Sequence, residues 1–171
     1  PFGASDFIPL PERFFAGGGN SHRGFSINQA GPRDLLTGFP VGGNAIFTNN
    51  LEMRFPPVRL PDLGFIRLED NLSFVVFHDA GNVFESGSEM LKGLLRWKQK
   101  DRHGCQSTAV DAPCNFNYLS HAVGAGIRYR TPIGPVRVDF GYNLNPPSFP
   151  VRGGTTPHSE TLSRFNVFFS I

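Results

Sequence analysis

One arginine and two acids, placed far apart along the chain, have side chains that could form ion pairs, but their types and spacing alone do not single them out. Arg23 is followed by Gly24 and Phe25, and the acids are Glu52 and Asp79. A guanidinium group presents parallel N–H donors that fit carboxylate oxygens, so one arginine can join two acids from separate elements. A solvated loop arginine and ordinary polar surface positions are the alternative interpretations of these residues.

Other chemistry finds little support in the sequence. The run Gly17-Gly18-Gly19 lacks the Gly-Lys-Ser/Thr that a phosphate-binding loop requires. The five histidines show no metal-ligand spacing; they are His22, His78, His103, His121 and His158. His78 and Asp79 are adjacent, and on a strand they would point to opposite faces. We therefore expect no enzymatic activity, no cofactor and no bound metal.

The two cysteines, Cys105 and Cys114, lie nine residues apart in a polar segment. Without nearby paired histidines they make a poor zinc site. A local disulfide in an oxidising compartment is the favoured interpretation, and two unrelated thiols are the alternative.

The composition favours strands and turns over helices. The chain has 18 Phe, 20 Gly and 15 Pro in 171 residues, and its formal net charge is +2. Aromatic residues are common in strands, whereas glycine and proline mark turns. A net charge this small gives no reason to expect a nucleic-acid partner. No apolar run approaches the roughly 18–20 residues of a membrane helix, although barrel strands give only a weak hydropathy signal.

A period of two residues predicts where the strands lie. From Gly43 to Phe55, apolar side chains alternate with Asn44, Thr48, Asn50, Glu52 and Arg54, and only Ile46 and Asn49 break the pattern. Similar alternation covers residues 71–83, 118–130, 136–143 and 164–171. We expect five antiparallel strands, with both acids on the polar faces.

The connections between these strands alternate in length. Residues 1–41, 84–116 and 145–160 form long polar segments, whereas 56–69 and 131–135 are shorter turns rich in proline. Long loops at one end and short turns at the other are typical of transmembrane barrels. Charged residues on the inner faces also fit a wet lumen: Glu52, Arg54, Asp79, Arg128, Arg130, Arg137, Asp139 and Arg164.

Several motifs in this order resemble the C-terminal part of the BamA/TamA outer-membrane barrel family. The segment 13–25, ending in Arg23-Gly24-Phe25, resembles the signature of the sixth extracellular loop of that family. Residues 41–45 with 51–52 resemble its twelfth strand, and residues 77–83, 124–135 and 164–171 resemble its thirteenth, its fourteenth with the following turn, and its sixteenth.

The resemblance implies a fold and a set of residue roles. The fold is all-β: about five C-terminal strands, residues 42–171, of a 16-stranded antiparallel transmembrane barrel with long extracellular loops. Residues 1–41 would be an extracellular loop folded into the lumen, where Arg23 meets Glu52 and Asp79. The last strand would contribute a lateral seam, formed by Arg164, Phe165, Val167, Phe169 and Ile171.

The resemblance also implies a function, namely assembly and insertion of proteins in the bacterial outer membrane, without a cofactor. The expected partners are outer-membrane lipids, unfolded outer-membrane proteins and lipoproteins of the assembly machinery. Two alternatives are a two-partner-secretion translocator of the same superfamily and a soluble β-sandwich binding module. The basic stretch 92–103 is either a solvated loop, which is favoured, or a contact for anionic lipopolysaccharide.

Overall fold

A computed structural model describes residues 8–56, 71–109, 112–132 and 134–171. Its main element is a five-stranded antiparallel sheet with the order β1-β2-β3-β4-β7. These strands are β1 (Ala45–Arg54), β2 (Leu72–Phe84), β3 (Ser120–Thr131), β4 (Gly134–Asn143) and β7 (Phe165–Ser170). The five strands predicted from the alternation are thus confirmed, with ends that differ by a few residues. The predicted turn at 56–69 falls almost wholly outside the described residues.

The two faces of this sheet differ in the way the alternation predicts. Strand pairing aligns Leu51, His78, Val123, Tyr142 and Phe165 in one row across all five strands. This row belongs to the outer face, whose large apolar side chains are largely exposed; they include Met53, Phe74, Val76, Ile127, Phe140, Val167 and Phe169. No second sheet covers this face within the described residues, so this part of the chain does not form the β-sandwich that was considered as an alternative.

Part of the inner face of the sheet is covered by the segment 8–43, through residues such as His22, Arg23 and Gly24. This segment contains a short 3-10 helix, Leu10–Glu12, and is held by isolated bridges such as Phe14–Gly43 and Ala16–Ala30. A small apolar cluster lies between the segment and the sheet; it contains Ala16, Phe25, Ala30 and Val83. Ile46, which breaks the alternation of β1, packs against this cluster. Contact with this cluster explains why an apolar side chain lies on the polar face of β1.

The two long connections contain more structure than the sequence predicted. The first holds the helices α1 (Gly87–Gly93) and α2 (Arg102–Cys105), and the second forms the hairpin of β5 (Ser148–Val151) and β6 (His158–Thr161). Ser86 caps α1 by accepting a hydrogen bond from the backbone of Glu89, a recognisable start signal. No helix in the described ranges combines the length and the apolar character required to cross a membrane.

Candidate functional site

The site is built around Arg23, whose side chain reaches the inner face of the sheet and is almost fully buried. Its Nε and Nη2 donate to Asp79 Oδ2 and Oδ1 at 2.8 and 2.7 Å, a bidentate pair. Its Nη1 donates to Glu52 Oε1 at 2.6 Å. The structure therefore brings together the three residues that the sequence analysis singled out, from the segment 8–43 and from β1 and β2.

Asp79 is fully buried, and each of its carboxylate oxygens accepts two hydrogen bonds. Besides the two guanidinium donors, the backbone N–H of Arg23 donates to Oδ2 at 2.9 Å and Asn50 Nδ2 donates to Oδ1 at 2.8 Å. Asn50 also donates to the carbonyl of Ser21 at 2.8 Å. A buried carboxylate needs hydrogen-bond donors for both oxygens, because an unpaired buried charge is strongly destabilising.

The aromatic ring of Phe77 lies under the guanidinium group of Arg23. The distance from Arg23 Cζ to the ring centroid is 3.4 Å, which is cation–π geometry. Phe77 is one of the apolar residues that β2 presents on its inner, otherwise polar face. An apolar side chain at that position of the alternation indicates a covering element, but the sequence gives no further role for Phe77.

Electrostatics keep Arg23 charged in this position. Burial acts to lower the pKa of Arg23, but the hydrogen bonds that it donates to Asp79 and Glu52 outweigh burial and hold the pKa above its ordinary value. The guanidinium is thus a permanent cation inside a site with two anions. Such an arrangement fixes geometry more than it adds net stability, since desolvation of the charges opposes their attraction.

A third acid, Asp139 on β4, extends the network beyond the residues that the sequence singled out. Asp139 is fully buried and accepts from Arg128 Nη1 at 2.5 Å. It also lies 3.8 Å from Arg23 Nη1 and 3.7 Å from Arg137 Nε. The alternation along the sequence places Asp139 on the inner face. Its distance from Arg23 depends on the strand register, which the sequence does not give.

Two glycines allow the segment to lie against the sheet. A Cβ on Gly141 of β4 would come within 2.2 Å of the carbonyl oxygen of Arg23, and one on Gly24 within 2.7 Å of Ala122 Cβ. The carbonyl of Gly24 accepts hydrogen bonds from Asn143 and Asn166 at 2.9 and 3.1 Å. The residues that flank Arg23 are therefore fixed to β4 and β7 as well.

His22, next to the arginine, is buried in its neutral form. Its Nδ1 accepts from the backbone N–H of Gly24 at 3.1 Å, so the proton resides on Nε2, which donates to the carbonyl of Ser120 at 3.1 Å. Burial lowers the pKa of His22 below its ordinary value. Phe25 lies edge-on to this ring, with 4.9 Å between the ring centroids, and belongs to the buried apolar cluster.

The residues predicted for the lateral seam lie at the edge of the sheet. Phe165, Val167, Phe169 and Ile171 are exposed on the outer face, and among the residues that the structure describes β7 pairs with β4 alone. Arg164 donates to the carbonyl of Leu144 at 3.1 Å, so its guanidinium is fixed to the neighbouring main chain.

Three further contacts lie outside the arginine site. The predicted disulfide between Cys105 and Cys114 is present. His78 and His121, which the sequence analysis treated as dispersed, lie with their ring nitrogens 3.1 Å apart. Trp97 stacks on His121 with 4.1 Å between the ring centroids. This contact joins one of the long connections to the outer face, and no local sequence signal indicates it.

The fold and the site together define a class: a section of β-barrel wall with an inward-folded loop held by a buried arginine. Comparison with protein families agrees with this class, since the Omp85 superfamily domain matches residues 1–165. The chain belongs to the Omp85 superfamily.

Curated relatives share the sequence over most of this chain. The outer membrane protein assembly factor BamA of Nitratidesulfovibrio vulgaris is 30% identical over 138 residues, covering 81% of this chain and 13% of the relative. The protein of that name from Neisseria meningitidis serogroup B is 24% identical over 148 residues, covering 84% and 18%. The chain thus spans less than a fifth of the length of these relatives.

A solved structure supports the fold. The crystal structure of BamA from Haemophilus ducreyi lacking POTRA domains 1–3 matches 95% of this chain and 28% of its own, with a TM-score of 0.52 and 21% identity. At this identity the match concerns the fold alone, and it agrees with a portion of a barrel wall.

Proposed function

We propose that this chain forms part of a barrel that assembles and inserts other proteins in the bacterial outer membrane. The observation that carries the proposal is Arg23, held by Glu52 and Asp79 inside a wall whose outer face is apolar. The names of the curated relatives point to the same activity. Residues 8–43 act in this proposal as an inward-folded loop that sets the shape of the wall.

The charge distribution supports a wall between lipid and water. The outer face exposes large apolar side chains, which is favourable only against lipid or a partner. The inner face collects three acids and several arginines in one network of ion pairs; its members are Arg23, Glu52, Arg54, Asp79, Arg128, Arg137 and Asp139. Apolar outside and polar inside is the arrangement of a transmembrane barrel.

For the insertion of a client protein, we propose that β7 supplies an edge with which incoming strands pair. Within the described residues β7 has β4 on one side and no strand on the other. An unpaired strand edge offers N–H and C=O groups to a further strand, the mode called β-augmentation. Phe165, Val167, Phe169 and Ile171 would then contact lipid or client beside the new strand.

The proposed partners follow from this mechanism: outer-membrane lipids, unfolded outer-membrane proteins, and lipoproteins of an assembly machinery. The mechanism requires neither a cofactor nor a catalytic residue, because pairing of backbone groups provides the driving force.

The experiment is an insertion assay with the full-length protein reconstituted in lipid vesicles. Wild-type protein is expected to accelerate the folding of an unfolded outer-membrane barrel client, measured by its heat-modifiable mobility. Arg23→Ala is expected to reduce this acceleration, whereas Arg130→Gln, which removes an exposed arginine outside the network, leaves it unchanged. Vesicles that transport an unfolded polypeptide without inserting any client would instead identify a two-partner-secretion translocator.

A further inference from the structure

The stretch from the last turn of α1 to the start of α2 carries a combination of exposed apolar and basic side chains. Residues 91–103 contain five cations and one acid; the cations are Lys92, Arg96, Lys98, Lys100 and Arg102. Within the same stretch, Leu91, Leu95 and Trp97 expose 67%, 94% and 49% of their surface. We call the exposed residues Leu91, Leu95, Trp97, Lys98 and Lys100 the basic rim patch.

The patch is held in place by the rest of the molecule. Asn145 Nδ2 donates to the carbonyl of Trp97 at 2.5 Å, and the backbone N–H of Leu119 donates to the carbonyl of Arg96 at 2.8 Å. Gln99 and Ser148 exchange two hydrogen bonds of 2.9 Å each. The exposure of the apolar side chains therefore belongs to an ordered main chain.

Trp97 joins the patch to the outer face of the sheet. Its indole stacks on His121, and His121 contacts His78. His78 lies in the outer row between Leu51 and Val123. The basic rim patch is therefore continuous with the apolar outer face, at the end of the sheet where β2 leaves and β3 enters.

Two cations of the patch have no acidic partner in the part of the chain that the structure describes. Lys92 pairs with Glu89 at 2.9 Å, but Lys98 and Lys100 make no ion pair or hydrogen bond within the described residues. Two unpaired cations beside exposed leucine and tryptophan match the chemistry of a lipid surface, with apolar groups at the acyl boundary and cations at phosphates. Tryptophan is also the residue that accumulates at membrane–water interfaces.

We propose that the basic rim patch binds a phosphorylated lipid headgroup in the outer leaflet of the membrane around this wall. Trp97 and the two leucines enter the acyl boundary, and Lys98 and Lys100 contact the phosphates. This inference rests on the outer-membrane placement proposed above and adds a lipid site on the outer rim to it.

The test titrates the full-length protein, folded in an uncharged detergent, with four probes: diphosphorylated lipid A, phosphatidylglycerol, phosphatidylcholine and inorganic phosphate. Fluorescence of Trp97 is the readout, isolated as the difference between the wild-type protein and Trp97→Phe. We expect a saturable change with the two anionic lipids and none with phosphatidylcholine or inorganic phosphate.

The variant Lys98→Gln/Lys100→Gln is expected to weaken the apparent affinity for lipid A by on the order of tenfold or more, since each cation near an anionic surface contributes to the binding free energy. Arg130→Gln, an exposed charge near the opposite end of β3, is the matched control and leaves it unchanged. Heat-modifiable mobility verifies that each variant is folded.

Three results would overturn the proposal: an equal response to phosphatidylcholine, saturation by inorganic phosphate in the same range, or an unchanged response in the double lysine variant. A wild-type protein that inserts clients but shows any of these results refutes the lipid site alone. A wild-type protein that binds lipid A as expected but inserts no client refutes the assembly function and leaves the lipid site standing.

Discussion

Arg23 and Asp79 form a bidentate ion pair, with Nε–Oδ2 and Nη2–Oδ1 distances of 2.8 and 2.7 Å, although 56 residues separate them in the chain. The backbone N–H of Arg23 donates to the same carboxylate at 2.9 Å. Asp79 therefore fixes both the side chain and the main chain of the inward-folded segment. This pairing is one of the contacts that hold the residues around Arg23 against the inner face of the sheet, together with the hydrogen bonds of Gly24 to Asn143 and Asn166.

The guanidinium shape should matter more than the charge. Arg23→Lys keeps the charge, but an ammonium group cannot donate two parallel hydrogen bonds to Asp79 and a third to Glu52 at the same time. We expect a loss of about 2 kcal/mol in the free energy of unfolding, since hydrogen bonds to charged groups contribute roughly 1.5–3 kcal/mol. Urea unfolding of the full-length protein, followed by heat-modifiable mobility, measures it; a lysine variant as stable as wild type would contradict the bidentate role.

Asp139 should behave as a structural member of the network. Asp139→Asn removes the negative charge that faces Arg128, Arg137 and Arg23. We expect destabilisation because three cations then share fewer anions in a buried site. The double variant Asp139→Asn/Arg128→Gln, which removes one of those cations as well, should lose less than the sum of the single losses. Additive losses in urea unfolding would exclude Asp139 from the network.

The alternation of side chains along the strands was sufficient to predict the five-stranded sheet, because a half-buried strand must expose one class of side chain on each face. The same parity placed Glu52, Asp79 and Asp139 on the inner face. Parity alone does not give register, so the meeting of Asp139 with Arg23 was not predictable, and the pairing of Arg23 itself came from family resemblance.

The long connections were predicted less well, for a physical reason. β5 and β6 are only four residues each, and β5 contains Pro150. In the sequence, so short a strand that contains a proline cannot be distinguished from a turn. The contact of Trp97 with His121 joins a loop to a strand 24 positions away, and only the folded chain brings them together.

The main chain of Arg23 lies close to Gly141, so we expect a larger side chain at position 141 to displace the inward segment. The Cβ of Gly141→Ala would lie 2.2 Å from the carbonyl oxygen of Arg23, so the inward segment must shift. We expect destabilisation of about 1–3 kcal/mol, as for other overpacked sites, and faster proteolysis within residues 8–43 of the folded protein. Gly87→Ala is the control, because a Cβ there meets nothing within 4 Å; equal behaviour of the two variants would count against the close contact.

His22 makes the inward segment sensitive to acid. Burial lowers the pKa of His22 below its ordinary value of 6.5, so the unfolded chain binds a proton more readily than the folded one. Its contribution to stability is complete above pH 6.5 and is lost as the pH falls below that value. Urea midpoints of the full-length protein should fall more between pH 7.5 and 5 than those of His22→Gln. Parallel pH profiles for the two proteins would rule out this origin.

A double-mutant cycle on Arg23 and Asp79 tests the central claim most directly. The free energy of unfolding of the full-length protein is measured for wild type, Arg23→Ala, Asp79→Ala and the double variant. Each single change strands a buried charge and should cost about 3–5 kcal/mol, whereas the double variant should lose much less than their sum. A coupling energy of about 2 kcal/mol or more is predicted; strictly additive losses would show that Arg23 does not hold the segment through Asp79.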